Sequence, residues 1–413
     1  MIDRKYVSLM VLLCSLGVSG SALAGPWPTK SGIAASNEDA TAAGNNPASI
    51  TRFDSRAYQV GIYGFFSEST FEATSSGTGT DFGSESDSTT VIPSGSLVLP
   101  FGKNWWFGMT ALGVGFSDDF GEDWAGRYII QDYTLAYLSL YPSIATKLTD
   151  KLSVAGSLMV TYTVFEQNKA VANVLDPGFG DGSLNLDADG WTGGWSVSML
   201  YEFTDRTRFG AVYRSELDPE LDADLNWGGL GPNTEAFLDA SGIFDTTASV
   251  TSRSPQSANI GIHHDFENSH SFAADIVWID FSNFQLSEIY FNGNVIVETE
   301  PTYEDITAIS LGYNFPISER VRLGVGAFIT DEMITDENRT MMLRLDSATS
   351  YGVGIKWTTK KGTAITAQLS YLDFGDAPVT SPDLPVIGVI SGEYTKRDTF
   401  YLQISAAFGA KPR

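Results

Sequence analysis

The feature that most limits how this chain can fold is a rhythm. Strand-like stretches of roughly ten residues recur along it, and the gaps between them alternate between short and long. The stretches fall at about 55–66, 92–101, 104–115, 132–147, 151–165, 191–204, 206–216, 254–266, 269–281, 302–315, 319–330, 347–358, 362–374 and 395–409, which makes fourteen. Turn residues fill the short gaps: Gly102-Lys103, Thr149-Asp150, Asp205, Glu267-Asn268, Pro316-Ile317-Ser318 and Thr359-Lys360-Lys361. The long gaps, such as 67–91, 217–253 and 375–394, are rich in Asp, Ser, Gly and Thr. An even number of antiparallel strands, with short turns at one rim and long loops at the other, is the pattern of a bacterial outer-membrane barrel. The loops then face outside and both chain ends are periplasmic. A soluble sandwich also alternates, but fourteen strands in one antiparallel run leave edges that closure removes.

Within the strands one parity is apolar, as lipid contact requires. Val321, Leu323, Val325, Ala327 and Ile329 alternate with Arg320, Arg322, Gly324, Gly326 and Phe328. Phe400, Leu402, Ile404, Ala406 and Phe408 alternate with Tyr401, Gln403, Ser405 and Ala407. Tyr351, Val353, Ile355 and Trp357 alternate with Gly352, Gly354, Lys356 and Thr358. A period of two puts each set on one face. A misplaced Arg or Lys on the lipid side would cost roughly 2–4 kcal/mol at the midplane. Trp105, Trp106, Trp278, Trp357 and Tyr371 near strand ends suit an interfacial aromatic belt.

Residues 1–24 are expected to be a secretory signal peptide: Arg4 and Lys5, an apolar run from Tyr6 to Gly20, then Ala22-Leu23-Ala24 before Gly25. Cys14, the one cysteine, lies inside it, so the mature chain is expected to hold neither a disulfide nor a thiolate metal site. Losing Asp3, Arg4 and Lys5 takes the net charge from -25 to -26. So acidic a chain does not suit nucleic acid as a partner. No stretch reaches the length of a transmembrane helix, a test that strands escape.

Residues 25–54 do not alternate. Ser31 to Ala35 and Ala40 to Gly44 are small-residue runs, followed by Asn45-Asn46-Pro47-Ala48-Ser49-Ile50. A compact segment of this kind can sit in the lumen as a plug, or hang as a periplasmic tail; composition leaves both open. The barrel proper is expected over 55–409, with 410–413 as a tail.

A resemblance favours the plug. The Asn46-Pro47-Ala48 run is similar to the Asn-Pro-Ala motif of the FadL/TodX family of outer-membrane transporters for long-chain fatty acids and aromatic hydrocarbons. Further stretches follow in the family's order: Trp124-Ala125-Gly126-Arg127-Tyr128 with Leu140 to Ala145, then Gly190 to Trp195 with Thr207 to Ser215. After them come Asp275 to Trp278 with Asp280 to Phe284, Asp336 to Thr340, and Gly392-Glu393-Tyr394. The likeness runs from about residue 30 to 409. It implies an all-β fold, a fourteen-stranded antiparallel transmembrane barrel closed by an N-terminal hatch. Ligand would enter from outside, bind an apolar interior and leave sideways beside a kinked third strand.

On that reading Gly108, Gly113 and Gly115 of the third strand are candidates for the lateral opening, because glycine weakens a strand and marks bulges. Ordinary barrel curvature also uses such glycines. Inward parity nominates Val212, Arg214, Val277, Phe281, Phe328 and Tyr401 as ligand-lining residues. Arg214 or Arg322 could meet a carboxylate head group, or bridge acidic lumen residues. The end of the fifth strand, Thr163 to Glu166, carries no base, which leaves neutral hydrocarbons open beside fatty acids.

The expected partners are a hydrophobic small-molecule ligand, outer-membrane lipid and lipopolysaccharide, and the barrel-assembly machinery; no cofactor or metal is expected. Asn185 to Gly190 mimics half a calcium loop, but Ser196 stands where a bidentate Glu is needed. His263, His264 and His270 surround a predicted periplasmic turn, and no G-x-S-x-G accompanies them. A general porin and an outer-membrane lipid hydrolase are the rival functions. Pro142 inside a strand demands a bulge or an unpaired amide.

Overall fold

Apolar parity, turn chemistry and closure act together in the computed structural model, which describes residues 31–76, 83–244, 248–291, 294–297, 303–339, 341, 346–381 and 388–412. The expected signal peptide, Cys14, residues 25–30 and Thr340 lie outside the described residues. Fourteen strands form the wall. They are β1 Ala57–Ser76, β2 Ser84–Phe101, β3 Trp105–Asp119, β4 Asp132–Lys147, β5 Leu152–Val171, β6 Gly182–Thr204 and β7 Thr207–Arg214. The second half comprises β8 Ser257–Asp265, β9 Ser271–Ile279, β10 Ile306–Ser318, β11 Val321–Thr330, β12 Thr349–Thr358, β13 Ala364–Asp373 and β14 Ile390–Gly409. Each pairs antiparallel with its sequence neighbour. β14 then pairs with β1 from Ala57↔Gly409 to Ser76↔Ile390, which closes the cylinder. No wall edge is left for another chain to extend.

The parity expected from sequence holds. Tyr351, Val353, Ile355 and Trp357 are exposed on the outside, as are Phe400, Ile404 and Phe408, whereas Tyr401, Gln403 and Ser405 are buried inside. Aromatic side chains gather at the outer edge of this apolar band, with the Tyr371 and Phe400 rings 5.3 Å apart. Trp106 is the exception to the expected belt: it points inward and its indole N–H donates to Phe53 O at 2.8 Å.

Five strands are longer than alternation predicts. β1 and β2 stay paired out to Phe71↔Ser84, and β5 and β6 to Val171↔Gly182; the outer reach of β14 begins at Ile390. Above the lipid the outward face of a strand meets water, so the outward apolar parity stops while the hydrogen-bond ladder continues and the inward face stays buried. Much of 67–91 and 166–190 is therefore strand, and Asn185 to Gly190 lies inside β6 with Asn185 Nδ2 donating to Asn168 Oδ1 at 2.8 Å. Five further strands build on this outer collar: Glu220–Gly228, Ala248–Arg253, Gln285–Phe291, Asn294–Val297 and Ala377–Thr380.

At the inner rim the predicted turn Pro316-Ile317-Ser318 belongs to β10, with a register shift between Pro316 and Ser318. A bulge accommodates a proline that has no amide to donate. Pro142 is handled differently. The β4–β5 ladder lapses between Leu140↔Val160 and Ser143↔Ser157 without a change of register. The unpaired-amide alternative holds there, and the bulge does not.

Candidate functional site: the bore, its hatch and the gap beside the third strand

Residues 31–53 fill the inner half of the bore. Their side chains touch strands all round the ring, which is possible only from inside. Phe53 receives Trp106 from β3, and Thr51 Oγ1 meets Ser153 Oγ on β5 at 2.6 Å. Glu38 pairs with Lys356 Nζ on β12 at 2.7 Å. Small residues make so close a fit possible. Ala34, Ala42, Ala43 and Ala48 are wholly buried. A Cβ on Gly210 would stand 1.9 Å from Ala34 O, so β7 admits the segment only because that position is glycine.

Asn46, Pro47 and Ala48 form the clip that fastens this segment. Asn46 caps the short helix Pro47–Arg52, its Oδ1 accepting from Ala48 N at 3.0 Å. Its Nδ2 donates to Ala34 O at 2.6 Å and to Met199 O of β6 at 3.0 Å. Ala48 N also donates to Ser198 Oγ at 3.0 Å. Pro47 opens the helix at a position where its missing amide is harmless. One asparagine thus ties two parts of the segment to each other and to the wall.

Two long-range anchors hold the segment from the far wall: Asp275, which the residue pattern does not single out, and Arg214, which it singles out as a lining residue and not as an anchor. Asp275 on β9 is buried and accepts from Gly32 N and, at 2.8 Å, from Ala34 N. Arg214 on β7 donates to Gly44 O at 3.1 Å and Asn45 O at 2.7 Å. Where acidic lumen residues were one expectation for Arg214, the oxygens it meets here are backbone carbonyls of the hatch. Helix-end and turn carbonyls are strong acceptors, and a buried guanidinium takes them.

The inner floor is charged. A cavity of about 320 Å³ there is lined by Glu38, Arg52, Arg208, Asp265, Arg322 and Lys356 among others. Its charges are largely matched: Arg208 with Asp265 at 3.0 Å, Arg52 with Glu202 at 3.3 Å, and Lys356 with Glu38. The Lys356 ammonium holds the Glu38 carboxyl well below the usual carboxylate range. Burial, with help from Arg208, pushes the Arg52 guanidinium down to about 10. His263 belongs here too, fully buried, with Nε2 2.9 Å from Asp265 Oδ1.

Above the hatch the bore turns apolar. Tyr63, Phe65, Ile92, Leu112, Val114, Tyr141, Met159 and Tyr401 form a mid-level cluster. Tyr401 stacks on Tyr63 at 5.9 Å and leans on Phe65 at 5.0 Å. Higher still, strand ends and loops make a second cluster including Leu135, Phe165, Leu186, Phe281 and Phe284, with Val277 packed against it. A third gathers Phe71, Phe120, Trp124, Tyr133 and Tyr394. Of the six nominated lining residues, Tyr401 lies in the mid-level cluster and Phe281 and Val277 in or against the upper one. Phe281 sits just past β9, in a short helical turn, stacked on Phe284 at 4.9 Å. Val212 is buried on the inner face, Arg214 anchors the hatch, and Phe328 is half-buried. They do not converge on one pocket.

The wall is incomplete beside β3. The β2–β3 ladder runs from Phe101↔Trp105 to Ser94↔Leu112 and stops, although β3 stays paired with β4 out to Asp119↔Asp132. Ile92 and Val114, both buried in the mid-level cluster, flank the interruption. Side chains close it again above: Ser86 Oγ donates to Asp118 Oδ1 at 3.1 Å, and Ser84 Oγ to Phe120 O at 2.7 Å. Gly113 and Gly115 lie in the unpaired stretch. Gly108 lies in the paired one, where an added Cβ would stand 2.8 Å from Ala43 Cβ and 2.5 Å from Ser143 Oγ. Its glycine admits the hatch.

The outer mouth is held by loop contacts. Asp176 receives Thr234 N at 2.8 Å and Asn233 N at 3.0 Å, docking helix Pro232–Ala240 on the loop after β5. Desolvation alone would raise the Asp176 carboxyl, but hydrogen bonds from Thr234 and Asn233 outweigh it and hold it below the usual range.

A closed cylinder with an oily exterior, a bore filled by its own leading segment and an apolar interior above it defines an outer-membrane transport barrel. Over residues 16–407 the sequence matches the family described as Outer membrane protein transport protein (OMPP1/FadL/TodX), and the chain belongs to that family. It is an outer-membrane protein. Among its relatives is the long-chain fatty acid transport protein of Salmonella typhi, 21% identical over 364 residues and covering 83% of each chain. The fold is shared with a Pseudomonas aeruginosa FadL homologue, at TM-score 0.83 and 18% identity over 95% of this chain and 98% of that one. It is shared also with the P. putida toluene transporter TodX, at TM-score 0.65 and 15% identity over 95% and 99%.

Proposed function

We propose that this chain takes up hydrophobic small molecules, long-chain fatty acids or hydrocarbons, from outside and releases them sideways into the outer membrane. The single observation that carries the reading is the lapse of the β2–β3 ladder beside Ile92 and Val114, where the mid-level apolar cluster meets the wall. An oily molecule gains roughly 0.8 kcal/mol for each buried CH₂. A route from apolar cluster to lipid through the wall keeps that gain, whereas a route past the charged floor forfeits it. Residues 31–53 act as the hatch that blocks the second route. Gly113 and Gly115, without side chains, form the sill of the opening.

On this reading the chain is neither a general porin nor an enzyme. A porin needs a hydrated bore where this one holds the buried run Ser31 to Phe53. A hydrolase needs an accessible histidine, and His263 is buried under the hatch with Asp265. Lipopolysaccharide would surround the outer collar, and the barrel-assembly machinery would insert the wall.

The test uses the cysteine-free mature chain. Cysteines at Val91 and Gly115, cross-linked by a short bis-maleimide, should pin β2 to β3 across the lapse. Uptake of a radiolabelled hydrocarbon into cells should fall at least about ten-fold, with each single-cysteine variant unaffected by the reagent. Full uptake by the cross-linked protein would exclude lateral release.

A further inference from the structure

The mid-level cluster is not uniformly oily. On the inner face of β1, Gln59 is 1% exposed, and among the described residues neither its amide nitrogen nor its amide oxygen has a hydrogen-bond partner. Gly61, the next inward residue, has no side chain, and the Gln59 amide nitrogen lies 2.9 Å from where its Cβ would stand. The amide is thus folded along the strand toward Tyr63, the residue after that. The Tyr63 hydroxyl, 1% exposed, makes no close hydrogen bond among the described residues; its polar neighbour is Ser94, whose Oγ donates to Gly61 O at 3.4 Å and can still accept from the phenol. Tyr63 and Phe65 then lead directly into the aromatic cluster beneath Tyr401.

A buried amide without partners is costly: each unsatisfied polar group forfeits about 1–3 kcal/mol. A glutamine whose sole duty was to pack could be methionine, which fills the same space without that cost. The cations toward the floor are largely taken up within the protein, and Arg322, which donates to Ser271 Oγ at 2.9 Å, lies in the floor cavity with Lys356 and Glu38. Arg214 is occupied by Gly44 and Asn45 carbonyls, Lys356 by Glu38, and Arg208 by Asp265. A carboxylate brought to this level would find an uncharged amide and a phenol, and a pure hydrocarbon would leave the amide unsatisfied.

Resting on the uptake function proposed above, we infer that the bore prefers an uncharged hydroxylated hydrocarbon, an alcohol or a phenol. Its apolar body lies in the mid-level cluster and its hydroxyl on Gln59 and Tyr63. The amide supplies both a donor and an acceptor, which suits a hydroxyl that is itself both. Gln59 and Tyr63 are then specificity-determining residues within the transport path.

Three probes of one shape separate the possibilities: para-hexylphenol, hexylbenzene and para-hexylbenzoate. Binding to the intact barrel in detergent is followed by tryptophan fluorescence at neutral pH, with native folding checked by heat-modifiable migration. Gln59→Met and Tyr63→Phe should each weaken the phenol about five-fold, the expected worth of one neutral hydrogen bond. Hexylbenzene should stay within two-fold or so of wild type, and the benzoate should bind worst of the three. Tyr63→Phe removes one oxygen atom, so it serves if Gln59→Met fails to fold. Unchanged phenol binding in the folded variants, or tightest binding of the benzoate, overturns this inference alone if hexylbenzene still binds. Failure of all three probes to bind the wild type overturns it together with the uptake function.

Discussion

An arginine inside a barrel that handles apolar molecules is expensive unless its donors find oxygen. Arg214 finds the carbonyls of Gly44 and Asn45, and so fixes the part of the hatch just before Asn46. Hydrogen bonds to a charged group are worth about 1.5–3 kcal/mol each. Arg214→Met should therefore raise hydrogen exchange over residues 41–50 by roughly ten- to a hundred-fold while the wall strands keep their protection. Uniform loosening of the strands would mean that Arg214 supports the barrel and not the hatch. Glu38 gives a pH-dependent counterpart. Lys356 depresses its folded-state value below the ordinary 4.5. Its contribution to seating is thus complete above about pH 5 and is lost only as pH falls toward the depressed value. In Lys356→Met the largest lowering influence is lost and burial raises the carboxyl against the weaker pull of Arg322 and His263, so seating weakens as pH rises through the carboxylate range. Exchange of residues 36–44 measured from pH 4 to 7, corrected for intrinsic rates, should be flat in the wild type and should climb in the variant.

At the scale of elements, the third strand does two jobs that its glycines divide. Gly108 faces the hatch, with Ala43 and Ser143 within 3 Å of a would-be Cβ. Gly113 and Gly115 lie where β2 no longer pairs. Gly108→Val should unseat the hatch and raise ion leakage through reconstituted protein, with apolar uptake little changed. Gly113→Val should leave leakage alone and cut uptake several-fold. Identical phenotypes would remove the distinction. The sequence made the wall readable for a physical reason: lipid forces one parity to be apolar, so strands in the bilayer announce themselves, as Tyr351 to Trp357 do. Pairing above the lipid leaves no such mark, which is why 67–76 and 182–190 read as loop. The clip Asn46-Pro47-Ala48 was legible as a motif. Asp275 and Gln59 were not nominated, because nothing local distinguishes a buried inward carboxylate or amide; their roles depend on residues some 240 positions away or on an absent partner. Trp106 misled because a tryptophan near a strand end looks the same whether it faces lipid or the lumen.

The whole molecule sets two media against each other across one sheet. Forty-one glycines and a charge of -25 describe a chain soluble in its loops. Yet Val60, Ile62, Leu158, Ile309 and Val353 face outward in a band that water would penalise. The bore inverts the arrangement, polar at the floor and oily above, and its inner half is filled by residues 31–53. This segment, with Ala410 to Pro412 beside it at the floor, fills that half of the bore, so the resistance to ions should reside mainly in it. Removing residues 31–54 from the otherwise full-length chain should convert a barrel of negligible steady conductance into one with large, ohmic, long-lived openings in planar bilayers. The wall should still assemble, because its ladder closes through β1 and β14 without help from the hatch. If the intact protein already conducts as freely as the shortened one, the segment seals nothing, and the argument that apolar ligands must leave through the wall loses its premise.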